Sequence, residues 1–266
     1  MCTALLSIPS GEIPSGEIVP GQPTLLAGVR DEFTSRDWQP PGHHWPQYPE
    51  LIGGLDLQAG GTWLAVAPAA RRVACVLNGR GRPAPEATRR SRGSLPLAAA
   101  AGDALNRSAL AGYDPFHLLT VRPGHALSQI WDGDTLTETT LPPGLHFAVN
   151  SGWAANLADA PADASANGRA HELARIACFL PRFAAAARPD PRPGLPVAEA
   201  WGDWFPLLNG GAIEPSDDRA LLPRRDLGEG RIWGTTSVSL VALAADDVRY
   251  DFTGTPGDPS AWTSVL

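Results

Sequence analysis

The residue with most chemical potential in this sequence is Cys2. A cysteine after Met1 is small enough for the initiator methionine to be trimmed, which would leave a thiol and a free α-amine on one residue. The amine titrates near about pH 8 and the thiol near about 8.5. Close to neutral pH the amine is partly unprotonated and can serve as general base to its own nucleophile. The other role open to Cys2 is that of a small apolar residue beginning a strand. Further along, Gly28-Val29-Arg30-Asp31-Glu32-Phe33 places three successive charges directly after an apolar run. These charges can frame a reactive site. Arg30 would hold an anion or lower a thiol pKa, and Asp31 or Glu32 would hold an amine or orient Arg30. They can equally form a solvated turn whose ion pairs are worth little.

A third feature is an arginine-rich stretch around Asn78: Arg71, Arg72, Arg80, Arg82, Arg89, Arg90 and Arg92. It suits either a phosphorylated or carboxylated ligand or a flexible charged loop. His43-His44-Trp45 could supply a metal or haem ligand, or simply structure its loop. Cys75 and Cys178 read as buried apolar residues. Three widely spaced cysteines without a C-x-x-C pair argue against a disulfide framework or a zinc site, and for a reducing compartment.

Composition removes several function classes. All 21 basic residues are arginine. Without lysine there is no Schiff-base lysine for pyridoxal phosphate and no P-loop lysine. A net charge of -7 makes sequence-independent nucleic-acid binding unfavourable. No run reaches the roughly 18 apolar residues of a membrane helix, and the N-terminus lacks the pattern of a signal peptide. A cytoplasmic protein is expected.

These residues must be positioned by strands. Thr3 to Ser7, Thr24 to Val29, Thr62 to Ala67, Arg72 to Leu77, His117 to Val121, Leu127 to Trp131, Leu136 to Thr140 and Leu145 to Val149 read as strands, with Asp132-Gly133-Asp134 a hairpin turn. The duplicated Ile-Pro-Ser-Gly-Glu at residues 8–12 and 13–17 reads as a lengthened hairpin connection. Residues 34 to 50 and 79 to 93 read as loops. Helices are predicted near Leu95 to Ala101, over Asp103 to Ala111, over Arg169 to Ala187 with a break at Pro181, and over Val197 to Leu208. Thr235 to Ala244 and Arg249 to Phe252 return to strand, and the tail from residue 254 reads as extended. Strands, then helices, then strands imply an α+β fold, and no linker divides residues 1–266.

Several stretches together resemble one family. Met1-Cys2-Thr3, the strand ending in Arg-Asp-Glu-Phe, Gly53-Gly54-Leu55-Asp56-Leu57-Gln58-Ala59-Gly60-Gly61-Thr62-Trp63-Leu64 and Val76-Leu77-Asn78 are similar to the NRDE family, the transport and Golgi organisation protein 2-like proteins. The resemblance is dense over residues 1 to 80. It continues in order through Asn150 and residues 234 to 240. It implies a single NRDE-type domain with the fold of an N-terminal nucleophile hydrolase, a four-layer αββα sandwich. It also implies Cys2 at the catalytic position, with Arg30 and Asp31 beside it, and Asn78 as an oxyanion-hole donor, a contribution of a few kcal/mol. Asn150 would be a second substrate-facing amide, and Glu32, Trp63 and Arg80 would contact substrate. For both asparagines a turn role is the alternative. Val29 stands where the family motif has Asn, and Thr236 stands where its Gly-Thr-Arg stretch has Arg.

Two functions follow. One is a Cys2-dependent hydrolase of an amide or thioester bond in a small acyl compound, needing no metal or organic cofactor. The other is a non-catalytic carrier of haem or acyl-coenzyme A.

Overall fold

The computed structural model of the chain describes residues 2–10, 21–157 and 166–266. Most of the duplicated pentapeptide lies outside the described residues. Fifteen strands occur among those described: β1 (Thr3–Ile8), β2 (Thr24–Phe33), β3 (Trp38–Gly42), β4 (Ile52–Asp56), β5 (Leu64–Ala67), β6 (Arg72–Asn78), β7 (Phe116–Arg122), β8 (His125–Trp131), β9 (Leu136–Thr140), β10 (Gly144–Val149), β11 (Gly152–Trp153), β12 (Arg224–Asp226), β13 (Ile232–Leu243), β14 (Val248–Thr253) and β15 (Thr263–Ser264). The helices are α1 (Ser94–Ala101), α2 (Ala166–Ala185), α3 (Val197–Trp201) and α4 (Trp204–Leu208).

Two antiparallel sheets result. One runs β3 to β9 in chain order, each strand beside the next. The other has the order β11-β10-β1-β2-β13-β14-β15, with β12 also on β13. All six residues of β1 are buried, because both faces of its sheet are covered. Ala4, Leu6 and Ile8 point one way and share a core with Leu64, Val66, Val73 and Leu119 of the opposite sheet. Leu5 points the other way, joining Leu25, Val29, Phe147 and Leu240 against Phe179, Phe183, Trp201 and Trp204 of the helices. Helix α1 instead packs Leu97 and Ala100 against Ala65 and Ala74 of β5 and β6. Among the described residues no helix is long and apolar enough to cross a membrane.

The differences from expectation have physical causes. Strand β3 forms inside the segment predicted as a loop, despite Pro40 and Pro41. It is an edge strand with a register shift between Gln39 and Gly42, where missing N–H donors are tolerated. Helix α2 passes through Pro181 instead of stopping there. Phe179 and Phe183, on either side of it, are both buried, and this burial offsets the hydrogen bond that proline removes. The helix predicted over Val197 to Leu208 is two helices, because Gly202 adopts φ 44°. That bend lets both Trp201 and Trp204 reach the core. The segment Asp103 to Ala111 yields only a 3-10 turn over Arg107–Gly112, capped by the Asn106 side chain accepting from the Ser108 N–H. The tail is mostly turns, with β15 its one strand.

One close backbone approach positions the site. Gly61 and Gly93 touch, and the Thr62 N–H donates to the Gly93 carbonyl at 2.9 Å. A Cβ on Gly61 would lie 2.5 Å from the Gly93 carbonyl carbon. Gly61→Ala is therefore expected to cost about 1–3 kcal/mol, read as a lower midpoint in urea unfolding with an unchanged slope.

Candidate active site

Strand β1 lies between β2 and β10, with Thr3 opposite Val29 on one side and Val149 on the other. Cys2 sits at the open end of this central strand. It packs with Trp63 against the core between the sheets, on the same face as Ala4 by strand alternation. The Cys2 N–H donates to Asn150 Oδ1 at 3.1 Å. Asn150 follows β10, and its own carbonyl lies 3.0 Å from His117 Nε2. A carbonyl can only accept, so Nε2 carries the proton, and the buried Nδ1 has no partner among the described residues. Burial pushes the His117 pKa down to about 4, against the opposing pull of the Asn150 carbonyl. His117 thus holds Asn150 as a neutral donor, and Asn150 holds the Cys2 nitrogen.

Arg30 and Asp31 are neighbours on β2 and so point to opposite faces. Arg30 faces the opposite sheet. Its guanidinium carbon lies 4.4 Å from the centre of the Trp63 ring. Its Nη1 donates to Thr236 Oγ1 at 2.8 Å, and Nη2 is 3.7 Å from Asp56 Oδ2. Burial pulls its pKa below the usual arginine range, while Glu32, Cys2 and Asp56 pull it back. Asp31 turns its carboxylate to the helical side, where Arg175 of α2 pairs with it at 3.1 Å and Thr235 Oγ1 donates to it at 2.7 Å. Arg175 also donates to Thr3 Oγ1. Only the Asp31 backbone carbonyl approaches the thiol, 3.9 Å from Sγ.

The two family departures lie in different places. The Val29 side chain packs in the core beneath the helices, away from the Cys2 side of the sheet. Thr236 occupies a bulge in β13, where the register slips between Thr235 and Ser237. A bulge re-aims its side chain, and here it aims the hydroxyl at Arg30.

Cys2, Arg30, Glu32, Trp63 and Asn78 line one cavity of about 690 Å³. Asn78, exposed at the end of β6, contributes from the opposite sheet. Glu32 accepts from the Phe33 N–H and lies 3.9 Å from Arg36. Sequence reasoning did not place Arg36 or Asp56 in the site. Asp56 caps its own turn, accepting from the Gln58 and Ala59 N–H groups, and its other oxygen takes Arg36 Nε at 2.7 Å. The available signals were the Gly53-Gly54-Leu55-Asp56 stretch and the Glu32 to Arg36 spacing.

The family model for Transport and Golgi organisation 2 matches residues 1–159. The chain belongs to that family. A search of curated proteins found no match. Among solved structures, the chain is similar to penicillin V acylase from Agrobacterium tumefaciens, at 12% identity over 96% of this chain and 84% of that one, with a TM-score of 0.47. It is also similar to the Caenorhabditis elegans N-acylethanolamine-hydrolyzing acid amidase ortholog, at 9% identity over 98% of this chain and 95% of that one, with a TM-score of 0.43.

The Transport and Golgi organisation 2 match takes in Cys2, Arg30, Asn78 and Asn150, whereas Arg175, Thr235 and Thr236 lie beyond it. Arg80, expected at the substrate, is directed elsewhere. It bonds Ser151 Oγ at 2.6 Å and Glu172 of α2 at 3.3 Å. His43 and His44 each bond a carbonyl of their own loop, on Pro49 and Pro40. Cys75 is buried, its pKa pushed up to about 12 chiefly by burial. Cys178 is half-buried beside the helical core. Among the described residues no three His, Cys, Asp or Glu side chains gather as a metal would require.

Two outcomes are expected. Arg175→Met strands a buried carboxylate on Asp31 and should cost about 3–5 kcal/mol in denaturant unfolding, with part recovered in Arg175→Met/Asp31→Asn. His117 stays neutral in the folded chain down to about pH 4, while the unfolded chain takes up its proton near about 6.5. The unfolded state therefore binds more protons within that window, and stability falls as pH is lowered through it, by on the order of 3 kcal/mol. The slope measured in His117→Gln should be shallower.

Proposed function

We propose that the chain is a Cys2-dependent hydrolase of an amide or thioester bond in a small acyl compound. The observation that carries this reading is the placement of the Cys2 nitrogen. It bonds Asn150 Oδ1 while the thiol side lines a cavity shared with Arg30 and Asn78.

With Met1 removed, that nitrogen becomes an α-amine held by the Asn150 amide oxygen. The amine takes the thiol proton as sulfur attacks the acyl carbon, and Asn150 Oδ1 stabilises the resulting ammonium. The Asn78 amide donates to the oxyanion, and Arg30 adds positive charge beside it. Collapse of the intermediate breaks the bond to the leaving group, which takes the proton from the ammonium. Water, deprotonated by the same amine, then attacks the acyl-Cys2 thioester; the carbon–sulfur bond breaks, the acid leaves, and the thiolate regains the proton from the ammonium. Asp31 acts from behind the strand, holding Arg175, which donates to Thr3 and so fixes the end of β1. The four-layer αββα arrangement of an N-terminal nucleophile hydrolase is part of this proposal. It is supported by α1 on one sheet and α2 to α4 on the other. The pairing of β13 with β2 supports treating residues 1–266 as one domain.

Intact-mass spectrometry should find a mature chain beginning at Cys2. Cys2→Ala should lower turnover of acyl amides or thioesters by about 10³-fold or more, with folding unchanged by circular dichroism. Undiminished hydrolysis by Cys2→Ala would sink the proposal. Stoichiometric binding of haem or acyl-coenzyme A without turnover, equal in wild type and Cys2→Ala, would identify a carrier instead.

A further inference from the structure

The loop bearing Arg89, Arg90 and Arg92 is one wall of the Cys2 cavity, and it is tied down rather than loose. Arg89 pairs with Asp114 at 3.2 Å and donates to the Ala84 carbonyl. The Arg90 N–H donates to the Gly112 carbonyl at 2.7 Å. Its side-chain stem lies over Gly112, where a Cβ would meet Arg90 Cδ at 3.2 Å. Arg92 Nη1 donates to the Pro115 carbonyl at 2.9 Å, and the Arg92 carbonyl accepts from the Leu95 N–H at the start of α1. The Gly61–Gly93 contact then locks this segment beside Trp63.

Other cations of the cavity are matched. Arg30 and Arg36 share Asp56, and Arg89 has Asp114. Among the described residues neither Arg90 nor Arg92 has a carboxylate within ion-pair distance, although both line the cavity. Arg92 is half-buried, with one of its five N–H donors used by Pro115. Burial pulls its pKa down, and Asp114, Cys2 and Glu32 are the groups whose fields pull it back. A half-buried guanidinium with spare donors is relieved by an oxyanion that it can bond in two places. A loop already held in place loses little entropy on binding one.

We propose that the ligand of the Cys2 cavity carries an anionic group, a carboxylate or a phosphate, and that Arg92 together with Arg90 receives it. This rests on the hydrolase reading and deepens it: the substrate is an acyl compound that is also an anion.

Iodoacetate and iodoacetamide alkylate the same thiol and differ in charge, so their rate ratio at Cys2 reports the local field without requiring turnover. The rates are followed by mass spectrometry of the N-terminal peptide. In Arg90→Gln/Arg92→Gln the iodoacetate-to-iodoacetamide ratio should fall about fivefold or more, the ratio cancelling any change in the thiolate fraction that both reagents share. Arg92→Lys, which keeps the charge and loses the fork, should retain more of the ratio than Arg92→Gln. Glutarate or phenyl phosphate should slow alkylation of the wild type and not of the double variant, and the more effective of the two names the anion. An unchanged ratio with protection by neither anion overturns the anion site, even where Cys2-dependent turnover is found. An equal fall in Arg82→Gln, which removes an exposed cation outside the cavity, overturns it too, since net charge would then explain the effect. A shifted ratio and protection without turnover of any acyl compound support the anion site and count against the hydrolase.

Discussion

A single cation buried between two sheets organises this end of the molecule. Arg30 is 5% exposed, and a charge so placed is tolerated only when other groups replace the water it has lost. Trp63 covers one face of its guanidinium, Thr236 accepts from one nitrogen, and Asp56 lies near the other. Each partner imposes a condition of its own. Trp63 lies across Gly54, leaving no space for a Cβ there. Asp56 must close a turn that also faces Arg36. Thr236 must sit on a bulge to reach across from β13. Gly54 and Asp56 of the Gly-Gly-Leu-Asp stretch thus serve the same guanidinium from different distances.

A second buried charge lies directly behind the first. The Asp31–Arg175 pair is on the opposite face of β2, and it joins β1, β2, β13 and α2. Such a pair adds little net stability over apolar packing, but breaking it leaves an uncompensated charge. Its effect is geometric: Thr3 is held, and Cys2 next to it is brought to the Asn150 amide. From the other side His117, kept neutral by burial, holds the Asn150 carbonyl. The cysteine is therefore positioned by two buried polar assemblies, one on each side of its strand.

These assemblies also give meaning to the two departures from the family motif. Val29 fills apolar space under the helices, where an asparagine would need partners. Thr236 occupies the bulge with a short hydroxyl that accepts from Arg30, where a second arginine would have set two cations side by side. The cavity keeps its surplus of positive charge on the arginine loop instead.

Much of this was legible in the residues themselves. The β1 and β2 segments, the hairpin at Asp132-Gly133-Asp134 and the α1 helix follow from short apolar runs and turn chemistry, which are local properties. Alternation also requires Arg30 and Asp31 to diverge. Which of them faces Cys2 is decided by the pairing of β1 with β2 and by the sheet stacked above. Arg80 and Arg92 come from one arginine-rich stretch and look equivalent in sequence, yet one bonds α2 and the other lines the cavity. Arg92 is placed by the Gly61–Gly93 and Arg92–Pro115 contacts and Arg80 by Ser151 and Glu172, all between segments remote in the chain. His117 reads as an ordinary strand residue until the turn after β10 brings Asn150 over it. The sequence alone determined the reactive groups and the periodicity of the strands carrying them. Strand register, a bulge and backbone contact between distant loops decided which groups meet, because these form only when remote segments pack together.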